Sequence, residues 1–160
     1  LTAKVTQIVK QNSGKIPVSI KLSPNVHDIK EIAHAAEKAG ADAITAINTA
    51  TGMAINIDAR KPILANKTGG VSGPALKPIA VRCVYEIYDT VKIPIIGTGG
   101  VTYGKDAIEM IMAGATAVGI GTGIYYRGID VFKKVCGEME QWMKKNKVKS
   151  LDEIRGCAHE

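Results

Sequence analysis

Two short apolar runs in this chain each end in glycines and then give way to a helical pattern: Pro94-Ile-Ile-Gly-Thr-Gly-Gly-Val101 and Ala117-Val-Gly-Ile-Gly-Thr-Gly123. A backbone without Cβ atoms can approach an anion closely, and the N–H groups of such a turn and of the helix behind it are free to bind one. Two turns of this kind on successive strands point to one shared phosphate.

The rest of the sequence supplies the rhythm around these turns. Residues 3–12 read as a helix closed by Asn12-Ser-Gly14, and Pro17–Leu22 as a first strand. Asp28 and Glu31 are spaced like a capping box ahead of a helix over 29–39, which carries Ile29, Ile32, Ala33 and Ala36 on one face and stops at Gly40. Residues 41–49 read as a second strand. From Ala50 to Pro74 no helical period appears, and a loop that long in a compact domain is usually functional. Within it, residues 53–58 and 62–65 have the pattern of a small hairpin across 59–61. A helix over 78–90, a strand over 94–98, a helix over 105–113 and a strand over 117–121 follow. A long helix begins at Asp130 with Phe132, Val135, Met139 and Trp142 at core spacing, and Ser150 with Glu153 opens a short last one.

This is four βα units preceded by a helix. The fold class is therefore α/β with a parallel sheet, and strands as apolar as Ala43–Ile47 are expected to be covered on both faces. A closed (β/α)8 barrel needs about 250 residues, and its phosphate sites follow its seventh and eighth strands. The 160 residues here thus read as a single segment, the C-terminal half of a TIM barrel, strands five to eight. A start at Leu1, inside a helical pattern, reads as a piece of a longer chain. The inner sheet face and two edges of a half barrel would be bare, so pairing with another copy or with the other half is expected.

Composition narrows the class. No apolar run approaches the roughly 20 residues of a membrane span, and the first residues have no signal-peptide pattern. Much of the net charge of +6 comes from Lys144, Lys145, Lys147 and Lys149. These suit a solvated helix end, and no aromatic interleaving supports nucleic-acid binding. Cys83, Cys136 and Cys157 are odd in number and lack metal-ligand spacing, which fits a reducing cytoplasmic compartment. Cys83 and Cys136 are expected in the core and Cys157 near the surface. No metal site is expected, and no cysteine or histidine here is assigned to catalysis.

In a β/α barrel the active face lies at the C-terminal ends of the strands. There the sequence places Lys21, Ser23, Asn25, Asn48, Thr49, Ser72, Gly73, Thr98, Gly99, Gly100, Gly121, Thr122 and Gly123. Lys21 alternates with Ile20 and Leu22. It could be a strand-end lysine reaching solvent, a Schiff-base former, or a cation balancing a cofactor's negative charge. Asn48 and Thr49 are neutral hydrogen-bonding groups, suited to strand-end capping or to a planar polar ligand. None of these residues is a competent general base.

Five motifs stand in order: Lys21-Leu-Ser-Pro-Asn25, Ile47-Asn-Thr49, Gly69-Gly-Val-Ser-Gly-Pro-Ala75, Gly97-Thr-Gly-Gly-Val101 and Gly121-Thr-Gly123. Together they resemble the catalytic subunit of dihydroorotate dehydrogenase, most like the class 1B form that uses NAD through a partner. Asp58–Pro62 and Lys77–Ala80 look like this family too. The resemblance implies a flavin-dependent barrel oxidising dihydroorotate to orotate in pyrimidine (UMP) synthesis. By position it implies that Lys21 touches the FMN ring, that the Ile47 backbone and Gly73 line the flavin, and that Gly99, Gly100, Gly121 and Thr122 hold its phosphate. Asn48 and Thr49 would then bond orotate. It also implies a flavin and iron–sulfur partner subunit passing electrons to NAD. The family's catalytic base, a cysteine after the fourth strand, would precede Leu1, so these residues alone are not expected to turn over dihydroorotate. Two readings stand beside this one: a phosphate-binding barrel isomerase, lyase or synthase with Lys21 as Schiff-base former, and a non-catalytic flavin- or phosphate-binding half barrel.

Overall fold

A computed structural model of the chain describes residues 1–159. Helix α1 (Thr2–Asn12) leads into β1 (Ser19–Leu22), α2 (Ile29–Lys38) and β2 (Ala43–Ala46). After the loop region come α3 (Lys77–Tyr88), β7 (Ile95–Thr98), α4 (Gly104–Met112), β8 (Ala117–Gly119), α5 (Gly123–Arg127) and α6 (Val131–Lys145). The strands β1, β2, β7 and β8 form one four-stranded sheet in that order, every pair parallel. This is the α/β half-barrel arrangement expected from four βα units, since each parallel step needs a crossover connection.

The intervening loop holds two small antiparallel pairs: β3 (Ala50–Gly52) with β6 (Gly69–Val71), and β4 (Ile55–Asn56) with β5 (Lys61–Pro62). The second is the expected hairpin in shortened form. Asn56 Oδ1 accepts from Asp58 N and Ala59 N and so turns the chain between its strands. The first was not expected, because Ala-Thr-Gly and Gly-Gly-Val carry too little alternation to signal a strand.

Helices α1, α2, α3, α4 and α6 pack side by side in that order. The core lies between this layer and the sheet. Ile44, Ala46 and Ile95 are at most 2% exposed and meet Ala33, Ala80, Val84, Ile87, Ala107 and Ile111. Small residues at the contact positions of α2, α3 and α4 let the helices lie close to the strands.

The expectation of strands covered on both faces is corrected. Only the helix-facing side is buried; on the other, Ser19 and Lys21 are exposed and Thr45 and Thr98 half-buried. Successive strand residues point to opposite faces, and this face carries the polar members of β1, β2 and β7, with Ile96 and Ala117 alongside them. Ser19 Oγ and Thr45 Oγ1, 2.8 Å apart, share a hydrogen bond across it.

Other expectations also shift. The short helix α5 directly after the second glycine turn was not foreseen, since Gly-Ile-Tyr-Tyr-Arg is too short to show a period. Cys136, placed in the core by its pattern, is exposed, and Phe132 is 47% exposed, whereas Val135 is buried. A narrower stripe of α6 than its spacing suggested therefore meets α4. Cys83 is buried as expected, and Cys157 is half-buried. Asp28 caps α2 by accepting from Lys30 N, without the reciprocal glutamate bond of a full capping box. Ser150 caps only a 3-10 turn, Leu151–Glu153, and Glu153 reaches back to Lys149 N.

Charged side chains tie α3 to α4. Lys77 Nζ lies 2.9 Å from Asp106 Oδ1 and 2.6 Å from Glu109 Oε2. Asp106 is buried, and its Oδ2 accepts from Thr102 N at 3.0 Å and Tyr103 N at 2.8 Å. Burial opposes the charged form of Asp106. The bonds from Lys77, Tyr103 and Thr102 outweigh it and hold the carboxyl below its ordinary value of 3.8.

Two outcomes follow from this packing. Ile44→Ala, in the middle of the sheet and fully buried, should cost about 2–5 kcal/mol by urea melt; a loss below about 1 kcal/mol would contradict the assigned core. Because the folded value of Asp106 is depressed, its contribution to stability is complete above pH 3.8 and is lost as pH falls through the lower folded value. Melts across that acid range should fall less steeply for Asp106→Asn than for the parent chain. Equal slopes would remove Asp106 as a source of acid sensitivity.

Candidate functional site

The C-terminal ends of the four parallel strands open onto one cavity of 270 Å3. Each of its corners comes from a different strand. Lys21 stands near the end of β1, Asn48 and Thr49 just after β2, Gly99 and Gly100 after β7, and Gly121 and Thr122 after β8. Ile47 and Gly73 complete the wall. The nine residues that the resemblance assigns to flavin and orotate therefore all line a single cavity, together with Ser72, Thr98 and Gly123, whereas Ser23 and Asn25 do not line it. Leu76 and Val101, not singled out as site residues, line it as well; as ordinary apolar residues they carried no signal.

The backbone places these groups. Past the last paired residues of β2, Ile47 N still donates to Thr98 O at 2.8 Å and Asn48 N to Leu22 O at 2.7 Å. These two bonds carry the chain straight to the rim. There Asn25 takes over: its Nδ2 donates to Thr49 O at 3.0 Å, and its Oδ1 accepts from Thr51 N at 2.9 Å. The Asn48 side chain is left exposed at the cavity, beside Lys21 on the neighbouring strand. Lys21 has no carboxylate partner among the described residues.

The glycine turns form the other side. Gly99 and Gly100 have φ of 136° and 76°, a region that side chains disfavour. A Cβ on Gly100 would also meet the backbone of Lys77, its nitrogen at 2.7 Å. At Gly121 nothing lies within 4 Å of a Cβ, so the space in front of it is open. Among the described residues, none accepts a hydrogen bond from the N–H groups of Gly99, Gly100, Gly121 or Thr122. Four free donors from two loops that line one cavity are a fitting cradle for a phosphate. Thr122 Oγ1 also donates to Ser72 Oγ at 2.9 Å, which joins the second turn to the loop ahead of α3.

Behind the cradle sits a pair that sequence reasoning missed. Arg127 Nη1 donates to Thr102 O at 2.9 Å and Nη2 to Glu138 Oε1 at 2.6 Å, while Glu138 Oε2 accepts from Gly104 N at 2.6 Å. The Glu138 carboxylate raises the Arg127 guanidinium, and Arg127 in turn holds Glu138 below the usual carboxylate range. No spacing rule could pair them, since Arg127 ends α5 and Glu138 lies inside α6.

The chemistry available at the cavity is bounded by its lining. It offers one cation, neutral hydrogen-bonding side chains and backbone donors, with no carboxylate, imidazole or thiol. It can bind an anion, place a planar polar ligand and balance negative charge. Among the described residues that line it, none can act as a general base.

The chain as a whole is similar to known proteins. Residues 1–143 match the dihydroorotate dehydrogenase family. Similar curated relatives are proteins named dihydroorotate dehydrogenase B (NAD(+)), catalytic subunit. That of Methanocaldococcus jannaschii is 54% identical over all 160 residues, which cover 52% of the relative. That of Methanothermobacter thermautotrophicus is 51% identical over 100% of this chain and 53% of its own length. That of Pyrococcus abyssi is 48% identical over 97% of this chain and 52% of its own. The chain spans about half the length of the curated relatives it matches. An isomerase, lyase or synthase built on Lys21 as Schiff-base former is not favoured by these matches. With four parallel βα units, glycine turns at the ends of the last two strands and a match over residues 1–143, the chain belongs to the dihydroorotate dehydrogenase family of TIM-barrel oxidoreductases.

Proposed function

We propose that this chain supplies the FMN- and orotate-binding half of a dihydroorotate dehydrogenase, the enzyme that oxidises dihydroorotate to orotate in pyrimidine biosynthesis. The observation that carries the reading is the convergence of four unpartnered N–H groups, one cation and two neutral polar residues on one cavity. That set fits FMN, which has a dianionic tail, a ring that gains negative charge on reduction, and a planar face for substrate.

In this reading Gly99, Gly100, Gly121 and Thr122 donate to the phosphate. Gly73 and the Ile47 backbone lie against the ring, and Lys21 stands beside it. A bound FMN supplies a two-electron acceptor. Lys21 Nζ favours the reduced state by offsetting its negative charge, and a side chain free of carboxylates keeps that charge available. Asn48 and Thr49 hydrogen-bond the substrate and hold its plane against the flavin. The proton released from dihydroorotate needs a base from outside the cavity lining described above. The cysteine after the fourth barrel strand is the group that the family resemblance supplies for it.

The open sheet face and the edge strands β1 and β8 fit the other half of a barrel, or a second copy of this chain. Exposed donors and acceptors on such edges seek a partner. The name "catalytic subunit" borne by the relatives supports a further subunit, and we assign it a flavin and iron–sulfur role in passing electrons to NAD. Three cysteines in no disulfide and the absence of any helix long and apolar enough to cross a membrane among the described residues support a cytoplasmic setting.

Orotate titrations in the presence of FMN, followed by the flavin difference spectrum, test this assignment. Asn48→Ala should weaken orotate by about tenfold, the worth of one lost hydrogen bond, and leave FMN affinity within about twofold. Unchanged orotate affinity would remove Asn48 from the substrate site. In the same preparation, dihydroorotate turnover by the 160-residue chain should not exceed that of free FMN; turnover at the rate of a full-length enzyme would contradict the need for an outside base.

A further inference from the structure

The two glycine turns belong to different strands, and the ladder that joins them is short. β7 and β8 pair only over Ile96–Thr98 with Ala117–Gly119. Beyond it both turns leave the sheet. Four N–H groups grip one phosphate only if the turns hold a fixed separation, to within about 0.5 Å. Something behind the cradle has to set that distance.

We propose that Arg127 is a positioning residue for the phosphate cradle, acting with Glu138 to lock the second glycine turn onto the first. The proposal rests on the flavin-phosphate reading given above. Arg127 ends α5, the helix that begins at Gly123 in the second turn. Its guanidinium reaches back to the strap that follows the first turn, and donates to Thr102 O. The same fork holds Glu138, whose second oxygen takes Gly104 N on that strap. Asp106 grips Thr102 N and Tyr103 N from within α4. The strap is thus held at four backbone atoms by three charged side chains.

Close packing completes the lock. A Cβ on Gly123 would meet Val101 O at 2.7 Å, and one on Gly104 would meet Met139 N at 2.8 Å. The start of α5 therefore presses on the first strap, and the start of α4 presses on α6. The Arg127 guanidinium stacks over the Tyr103 ring at 4.5 Å, and its side chain is 17% exposed. Arg127 does not line the cavity. Its effect on a phosphate would pass through the position of the turns, and a lysine could not reproduce the two-pronged contact.

The discriminating experiment compares FMN with riboflavin, which lacks the phosphate, by quenching of flavin fluorescence on titration with the parent chain, Arg127→Lys and Glu138→Gln. Far-UV circular dichroism confirms that each variant is folded. Arg127→Lys keeps the charge and breaks the fork; it should weaken FMN about tenfold and riboflavin less than about twofold. Glu138→Gln removes a negative charge near the site and should still weaken FMN relative to riboflavin. Equal losses for both ligands would reduce Arg127 to an ordinary structural brace and overturn the proposal. Tighter FMN binding by Glu138→Gln, or an unaffected Arg127→Lys, would assign the effect to charge acting through space and overturn it as well. A parent chain with no preference for FMN over riboflavin would instead overturn the phosphate reading on which the proposal stands.

Discussion

The parallel ladder between β2 and β7 is the constraint on which the rest depends. It pairs Ile44 with Ile95 and Ala46 with Gly97, and it continues one step further through Ile47 N and Thr98 O. A parallel register fixes which strand ends stand side by side. Here it sets Asn48 and Thr49 next to the glycines at 99 and 100. A one-residue slip of β2 would turn Ile44 away from the helices and Thr45 toward them. The buried stripe contributed by α2, α3 and α4 makes that slip costly. The same hydrophobic contacts that stabilise the sheet therefore bring the polar groups to one end of it.

Around that ladder the chain divides labour between its two sheet faces. The helix face is dry and filled with small and branched apolar residues. The other face carries Ser19, Lys21, Thr45 and Thr98 and is open. In a closed barrel this face would be the interior, where side chains meet in layers. Its polarity near the strand ends suits a bound ligand, and β1 and β8 stand at the two edges of the sheet with no further strand beside them among the described residues.

Much of this was legible in the sequence, for identifiable reasons. Alternation of short apolar strands with amphipathic helices fixed four βα units. The paired glycine turns marked the ends of two strands, and the ends of all four strands met at one cavity as the βα rhythm required. What was not legible depended on contacts between distant segments. The β3–β6 pair brings Ala50 beside Val71 with no local period to announce it. Cys136 and Phe132 followed a core spacing on α6, yet only part of that face meets α4. The Arg127–Glu138 fork and the Asp106 clamp join helices that no local motif connects. Such pairs follow from the tertiary fold and not from spacing along the chain.

The central claim is that the two glycine turns bind the phosphate of a flavin. Backbone amide resonances of 15N-labelled chain report this directly. On titration with FMN, the signals of Gly99, Gly100, Gly121 and Thr122 should shift together with one saturating affinity, and riboflavin at equal concentration should leave these four nearly unmoved. Equal shifts with both ligands, or FMN-dependent shifts confined to other residues, would contradict the account.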